Sequence, residues 1–368
     1  MSGAPPGRGS PFPMAAGWSD PAAVTAMMTV VDSIRQLQCA ALGAFGLGSA
    51  ECSFRILASG PFWRLREYHG AGSGPALLVV AAPIKRPYIW DLAPSVSVLR
   101  HCLGHGLRVY LLEWMPASPR TAAAGLAAYA GEAIGEAVAE VAKRSAGARP
   151  FLIGHSLGGT FAALHTALAG DGVRGLVVLG APLCFTPGSS RFRDAIVALI
   201  PPAIADVDVV PGSLLSMICS AASPDVFVWS RVFDAGLSLG TPQTAAVHAR
   251  VERWALDELP LPGALLRDIF AQLYQGNRFC KGTLELDGKR LSPQAVEVPT
   301  LAVVNTDDEI APPESVEPFL ETLPPGRART IRHGGEHGVG LQHLAVLVGQ
   351  NAHARVWPEI IAWLDAQP

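Results

Sequence analysis

In Phe151-Leu152-Ile153-Gly154-His155-Ser156-Leu157-Gly158-Gly159 an apolar run stops at a serine bracketed by glycines. Pro150 to Ile153 has the composition of a buried parallel strand and Thr160 to Leu168 that of a helix packed behind it, so Gly154-x-Ser156-x-Gly158 falls at a strand-to-helix turn. Such a nucleophile elbow is tight enough that a Cβ at 154 or 158 would meet neighbouring backbone, and it holds the serine strained with its Oγ clear of the sheet. A serine hydroxyl is a weak nucleophile. It needs a base within hydrogen-bond reach and a third group that fixes the base's tautomer, and with both it can carry acyl groups as a covalent ester.

Where an elbow of this kind sits on a parallel sheet, the partners follow in the chain order serine, acid, histidine. The apolar run Pro299 to Val304 leads into Asn305-Thr306-Asp307-Asp308-Glu309-Ile310-Ala311-Pro312, an acidic loop at a strand's carboxyl end, where such sheets place catalytic groups. Asp308 is the expected acid, because Asp-x-Ile-x-Pro fits a turn back to a helix, and Asp307 is the alternative. Further on, Thr330-Ile-Arg-His-Gly-Gly-Glu-His-Gly-Val-Gly340 offers two histidines in a glycine-rich loop. His337, deeper in the loop, is the expected base, and His333 lies nearer the strand end. His343 and His353 fall on or near the last helix and read as structural, and His155 reads as packing inside the elbow. Two backbone N–H groups should form the oxyanion hole, that of Leu157 at the helix N-terminus and that of Ile84 in the loop after the strand 76–82. Cys and His show no ligand spacing and there is no H-E-x-x-H, so no metal and no cofactor is expected.

The elements that must position these groups alternate along the chain. Phe54 to Tyr68 reads as an antiparallel pair of strands, Ala76 to Ala82, Val109 to Glu113, Phe151 to Ile153, Val173 to Gly180 and Pro299 to Val304 as parallel strands, with helices over 96–105 and 121–144 between them. This predicts an α/β chain with a doubly wound, mostly parallel sheet. The stretch 186–297 breaks the rhythm with helical, aromatic sequence (Trp229, Phe233, Trp254, Phe270, Tyr274) and is expected to be a cap inserted over the site. Core residues are then 51–185 and 298–368. Residues 1–18 are Pro- and Gly-rich and expected to be disordered. Residues 19–50 form a helical segment in which Ser19-Asp20-Pro21 opens the helix and Val24, Met27, Met28, Val31, Ile34 and Leu37 recur at helical spacing, for packing against the core or a partner subunit.

Composition narrows the function classes. Hydrophobic residues at 49% and charged residues at 16% describe a globular protein with a large core, and a net charge of −3 without a basic stripe excludes nucleic acid as a partner. Six cysteines without C-x-x-C spacing read as reduced buried residues, and no apolar run has the length of a membrane span, so a cytoplasmic setting is expected.

Several motifs carry a family likeness. Pro83-Ile84-Lys85-Arg86-Pro87-Tyr88-Ile89-Trp90-Asp91-Leu92, Trp254-x-x-Asp257 with Leu261-Pro262, Leu273-Tyr274-x-x-Asn277, Gly282-x-Leu284-x-Leu286-x-Gly288 and Asp308-x-Ile310-x-Pro312 together resemble the polyhydroxyalkanoate synthases, over roughly residues 75 to 365. These are α/β-hydrolases that polymerise hydroxyacyl-CoA by acyl transfer. The resemblance implies the α/β-hydrolase fold with an inserted helical cap, Asp308 and His337 as acid and base, and substrate contacts at Tyr88, Asp91, Trp254 and Asp257. The chain departs from the family at its nucleophile, Ser156 in place of cysteine, and also at Lys85, Ala255, Leu259 and Glu309, where the family carries Asn, Asn, Thr and His. Acyl transfer is left intact by these changes. The expected activity is hydrolysis of hydroxyacyl esters or thioesters, with synthesis of polyester from 3-hydroxyacyl-CoA as the alternative. The expected partners are an acyl ester, an acyl-CoA or a polyester, and either a second copy or a partner subunit.

Overall fold

The computed structural model describes residues 21–70, 72–200 and 207–367; the expected tail 1–18 and the Ser19-Asp20 helix opening lie outside them. Consecutive apolar residues become strands because both faces of the sheet are covered. In Ala76–Val80, Leu78 and Val80 enter one core and Leu77 and Val79 the other, and Leu152 and Ile153, Val178 and Val177, Ala302 and Val303 divide the same way.

Among the described residues the main sheet has eight strands: β1 (Phe54–Ser59), β2 (Trp63–Tyr68), β3 (Ala76–Val80), β4 (Arg108–Trp114), β5 (Phe151–His155), β6 (Gly175–Leu179), β7 (Thr300–Asn305) and β8 (Ala328–His333). Their spatial order is β1-β2-β4-β3-β5-β6-β7-β8. Only the β1/β2 and β2/β4 pairs are antiparallel. The elbow strand β5 is therefore central, between β3 and β6.

The first helix, α1 (Pro21–Leu42), stands outside the sheet. It is fixed by Met28, which enters the core with Val24 and Val31 against it, and by its polar residues. The Asp32 carboxylate accepts from the N–H groups of Gly212 (3.1 Å) and Ser213 (2.7 Å), supplying the start of a later helix with the cap that its own Pro211 cannot provide. The sheet is flanked by α2 (Val98–Gly104), α3 (Ile134–Arg144) and α4 (Leu157–Ala169). The helix expected from Thr121 starts later, at a wide turn over Ala127–Ala133, because Ser118 to Ala124 folds as turns in which Thr121 Oγ1 accepts from the Ser118 N–H.

Between β6 and β7 the chain leaves the sheet for α5 (Arg191–Leu199), α6 (Gly212–Ala222), α7 (Ser230–Ser238), α8 (Pro242–Ala255) and α9 (Gly263–Asp268). It then closes with α10 (Pro313–Glu321), α11 (Ala345–Val348) and α12 (Trp357–Asp365). Among the described residues no single helix is long and apolar enough to cross a membrane.

The cysteines differ from their expected reduced state. Cys184, just beyond β6, and Cys280 form a disulfide with their Cα atoms 5.3 Å apart, while Cys39, Cys52, Cys102 and Cys219 are free. A separation of 96 residues leaves no trace in local spacing. Titration of the unfolded, unreduced protein with a thiol reagent should count four thiols, and six after reduction; six in both would show that the bridge does not form.

Candidate active site

The turn from β5 into α4 has the conformation its residues demand. Ser156 sits at φ 54° and ψ −135°, a region that side-chain-bearing residues rarely occupy, and its N–H is held by the Leu179 carbonyl at 3.1 Å. A Cβ on Gly158 would lie 2.2 Å from the Val80 carbonyl oxygen, and one on Gly154 2.5 Å from the backbone of Gly158. Neither position tolerates a side chain.

Asp308 is buried at the end of β7, and its neighbour Asp307 is exposed, accepting from the Gly335 N–H at 2.7 Å. One Asp308 oxygen accepts from the N–H groups of Ile310 (2.9 Å) and Ala311 (3.1 Å). The other lies 2.6 Å from Nδ1 of His343. Burial alone would raise this carboxyl, but the His343 ring and the two backbone donors outweigh it and hold the group below its ordinary range. An ionised carboxylate only accepts, so Nδ1 carries a proton, and in the neutral ring the lone pair is on Nε2. That Nε2 is buried and has no hydrogen-bond partner among the described residues.

The histidine facing Asp308 is thus His343, not the expected His337. His337 is exposed, because the Gly334–Gly340 loop turns it outward, whereas His343 follows the loop and is buried just before α11. His155 does more than fill space. Its ring lies 4.5 Å from that of His343, and Nε2 donates to the His343 carbonyl at 2.7 Å. Burial, reinforced by His343, pushes its pKa down to about 3, so it is a neutral donor.

Ser156 and His343 open on one cavity of about 490 Å³. Its walls are largely apolar: Met28 and Val31 from α1, Leu215 from α6, Trp254 from α8, with Phe270 and Tyr274 beyond α9. Leu157 and Ile84, the expected oxyanion donors, both line it. The Ile84 carbonyl accepts from the Leu259 N–H at 2.9 Å, which ties the loop after β3 to the inserted segment. Of the other expected substrate contacts only Trp254 lines the cavity, its Nε1 donating to the Arg86 carbonyl at 2.7 Å. Tyr88 is buried with its hydroxyl accepting from Arg253 (3.0 Å), Asp91 is enclosed by Ser97, Cys52 and Arg100, and Asp257 lies 3.6 Å from Arg86.

Lys85 reaches into the same wall. Its Nζ donates to the Ala255 carbonyl (2.6 Å) and to Glu258 (3.0 Å), and Arg35 of α1 pairs with the same carboxylate at 3.0 Å. Desolvation lowers the Lys85 ammonium, and Glu258 works against that. One buried carboxylate thereby joins α1, the loop after β3 and the inserted segment.

The strand order, the strained serine at a strand-to-helix turn and the pair formed by Asp308 after β7 and His343 after the loop that follows β8 define an α/β-hydrolase. Over residues 128–341, more than half its length, the chain matches the Hydrolase_4 family, described as serine aminopeptidase, S33, and it belongs to that family of enzymes. Its sequence is also similar to the poly(3-hydroxyalkanoate) polymerase subunit PhaC of Haloarcula marismortui (29% identical over 290 residues, 78% of this chain and 60% of that protein). The corresponding subunit of Thiocystis violacea is 26% identical over 290 residues, 78% of this chain and 80% of its own length. The chain thus spans about 60% of the length of the haloarchaeal relatives it matches. Among solved structures, the monoacylglycerol lipase of Paleococcus ferrophilus superposes with a TM-score of 0.51 at 15% identity, covering 83% of this chain and 99% of that one, a likeness of fold.

Proposed function

We propose that this enzyme transfers acyl groups through Ser156, with His343 as its base and Asp308 orienting that base. The observation that carries the reading is the buried Asp308–His343 hydrogen bond, which leaves His343 Nε2 unpartnered at the cavity onto which Ser156 opens. Ser156 Oγ attacks the acyl carbonyl and its proton passes to Nε2. The carbonyl oxygen takes the negative charge and is received by the N–H groups of Leu157 and Ile84, the first helped by the dipole of α4. Collapse expels the alcohol or thiol, which leaves with the proton from Nε2. Asp308 stays ionised throughout and stabilises the imidazolium. A closed catalytic hydrogen bond is not required of the resting enzyme, since such contacts tighten in the substrate complex.

The apolar cavity suits an acyl chain, and residues 186–297, which supply much of its wall, act as a cap. The substrate class is hydroxyacyl esters or thioesters, by analogy with relatives that are named as poly(3-hydroxyalkanoate) polymerases. The nucleophile favours hydrolysis over elongation. A thiol activates at little cost and forms a thioester that passes readily to an alcohol. Ser156 forms an oxygen ester about as stable as the polyester it would have to make, whereas water is abundant and needs only His343 as base. The relatives' names favour a second reading, a polyester synthase. Given 3-hydroxybutanoyl-CoA, the wild-type protein should release CoA and free acid in equal amounts and no polymer. CoA release matched by new ester bonds would establish the synthase instead.

A further inference from the structure

We propose that Asp234, on α7 of the inserted segment, is a positioning residue for His343, so that the base is correctly placed only while that segment is seated against the sheet. The proposal rests on the assignment of Ser156, His343 and Asp308 above.

Asp234 is buried, and its two oxygens are spent on the loop that leads to His343. Oδ1 accepts from the Gly338 N–H and Oδ2 from the Gly340 N–H, both at 2.7 Å, and Oδ2 also accepts from Nδ1 of His248 on α8 at 3.0 Å. Two alternate N–H groups converge on one carboxylate because Gly338 (φ +82°) and Gly340 (φ +74°) both adopt conformations that other residues avoid. Val339 between them is buried. Gly-Val-Gly is thus a cradle for an anion, filled by a side chain from the inserted segment.

Three residues beyond Gly340 stands His343. The intervening chain is held from the sheet side as well, Asn305 Nδ2 donating to the Gln342 carbonyl at 2.8 Å and His155 Nε2 to that of His343 at 2.7 Å. Those two contacts fix the backbone from β5 and β7; Asp234 fixes it from the inserted segment. A buried carboxylate is costly unless fully bonded, so withdrawal of the inserted segment leaves Asp234 with His248 alone, strips the two glycine N–H groups of their acceptor and frees the loop on that side. His343 then keeps Asp308 but loses one of the restraints on its ring relative to Ser156, and misplacement on the scale of 1 Å costs about 10²-fold in rate.

The test compares full-length wild type, Asp234→Asn, Asp234→Ala and Ser156→Ala on p-nitrophenyl butanoate. Two readouts are taken: kcat and KM separately, and the downfield proton resonance of the His343 Nδ1–H bonded to Asp308. The isosteric asparagine, which cannot accept from both glycines, should lower kcat about tenfold and the alanine on the order of 10²-fold, with KM little changed and the resonance shifted or broadened. An unchanged kcat and resonance, or a raised KM with kcat retained, would reduce Asp234 to a structural staple and overturn the proposal; should the alanine variant not fold, the asparagine variant decides. Full activity in Asp234→Ala beside an inactive Ser156→Ala refutes this inference alone. Full activity in Ser156→Ala refutes the catalytic assignment, and this proposal with it.

Discussion

His343→Ala should lower kcat by on the order of 10³-fold or more, while His337→Ala should leave it within about twofold of wild type. The contrast follows from position. His343 Nδ1 lies 2.6 Å from a buried carboxylate and its Nε2 is unspent beside the cavity, whereas His337 is exposed at the tip of its loop. Ser156→Ala should match His343→Ala, and the double variant should lose little beyond either, because a base without a nucleophile and a nucleophile without a base are equally idle. Asp308→Asn should also be severe, since the amide no longer holds Nδ1 in its protonated tautomer, and Asp307→Asn mild. Steady-state kinetics on a short acyl ester, with circular dichroism to show that each variant is folded, checks all of these. Comparable losses at His337 and His343 would return the base to the loop.

The second large effect is on stability. Glu258→Ala should destabilise the protein by about 3 kcal/mol, seen as a lower urea midpoint. The side chain of Glu258 is 2% exposed, and it is met by Lys85 and Arg35, at 18% and 27%. Removing one member of a buried ion cluster leaves the others desolvated without compensation; Arg35 can swing back into water, which places the loss at the lower end of the usual range. The control is Glu258→Ala combined with Lys85→Met, which removes the stranded charge and should recover part of the loss. A Glu258→Ala midpoint equal to wild type would show that the cluster is not buried in solution.

What could be read from the sequence was what local chemistry dictates. Ser156 was legible because a tight turn admits only glycine at 154 and 158, and the central strands because two-sided burial writes continuous apolar runs. Asp308 was legible for a related reason, its carboxylate bonding the N–H groups two and three residues on, so that Asp-x-Ile-x-Pro is a local pattern. His343 was not. It stands in Leu341-Gln342-His343-Leu344 at the threshold of a helix, and its partner is 35 residues away, a contact that only the folded sheet creates. Two of the glycines in the His337 loop, Gly338 and Gly340, answer to Asp234, more than a hundred residues upstream, and Gly335 to Asp307. The Cys184–Cys280 bridge is likewise a property of topology.

Met28 and Val31 stand on a helix that adds no strand to the sheet, yet they face the same cavity as Ser156. The wall of the cavity is therefore assembled from separable parts of the chain. Substitutions on α1 can reshape one wall of the cavity while the groups at Ser156, Asp308 and His343 stay untouched. On the proposed acyl-transfer function, residues 28 and 31 are where a designer should begin when altering the length of chain the cavity accepts.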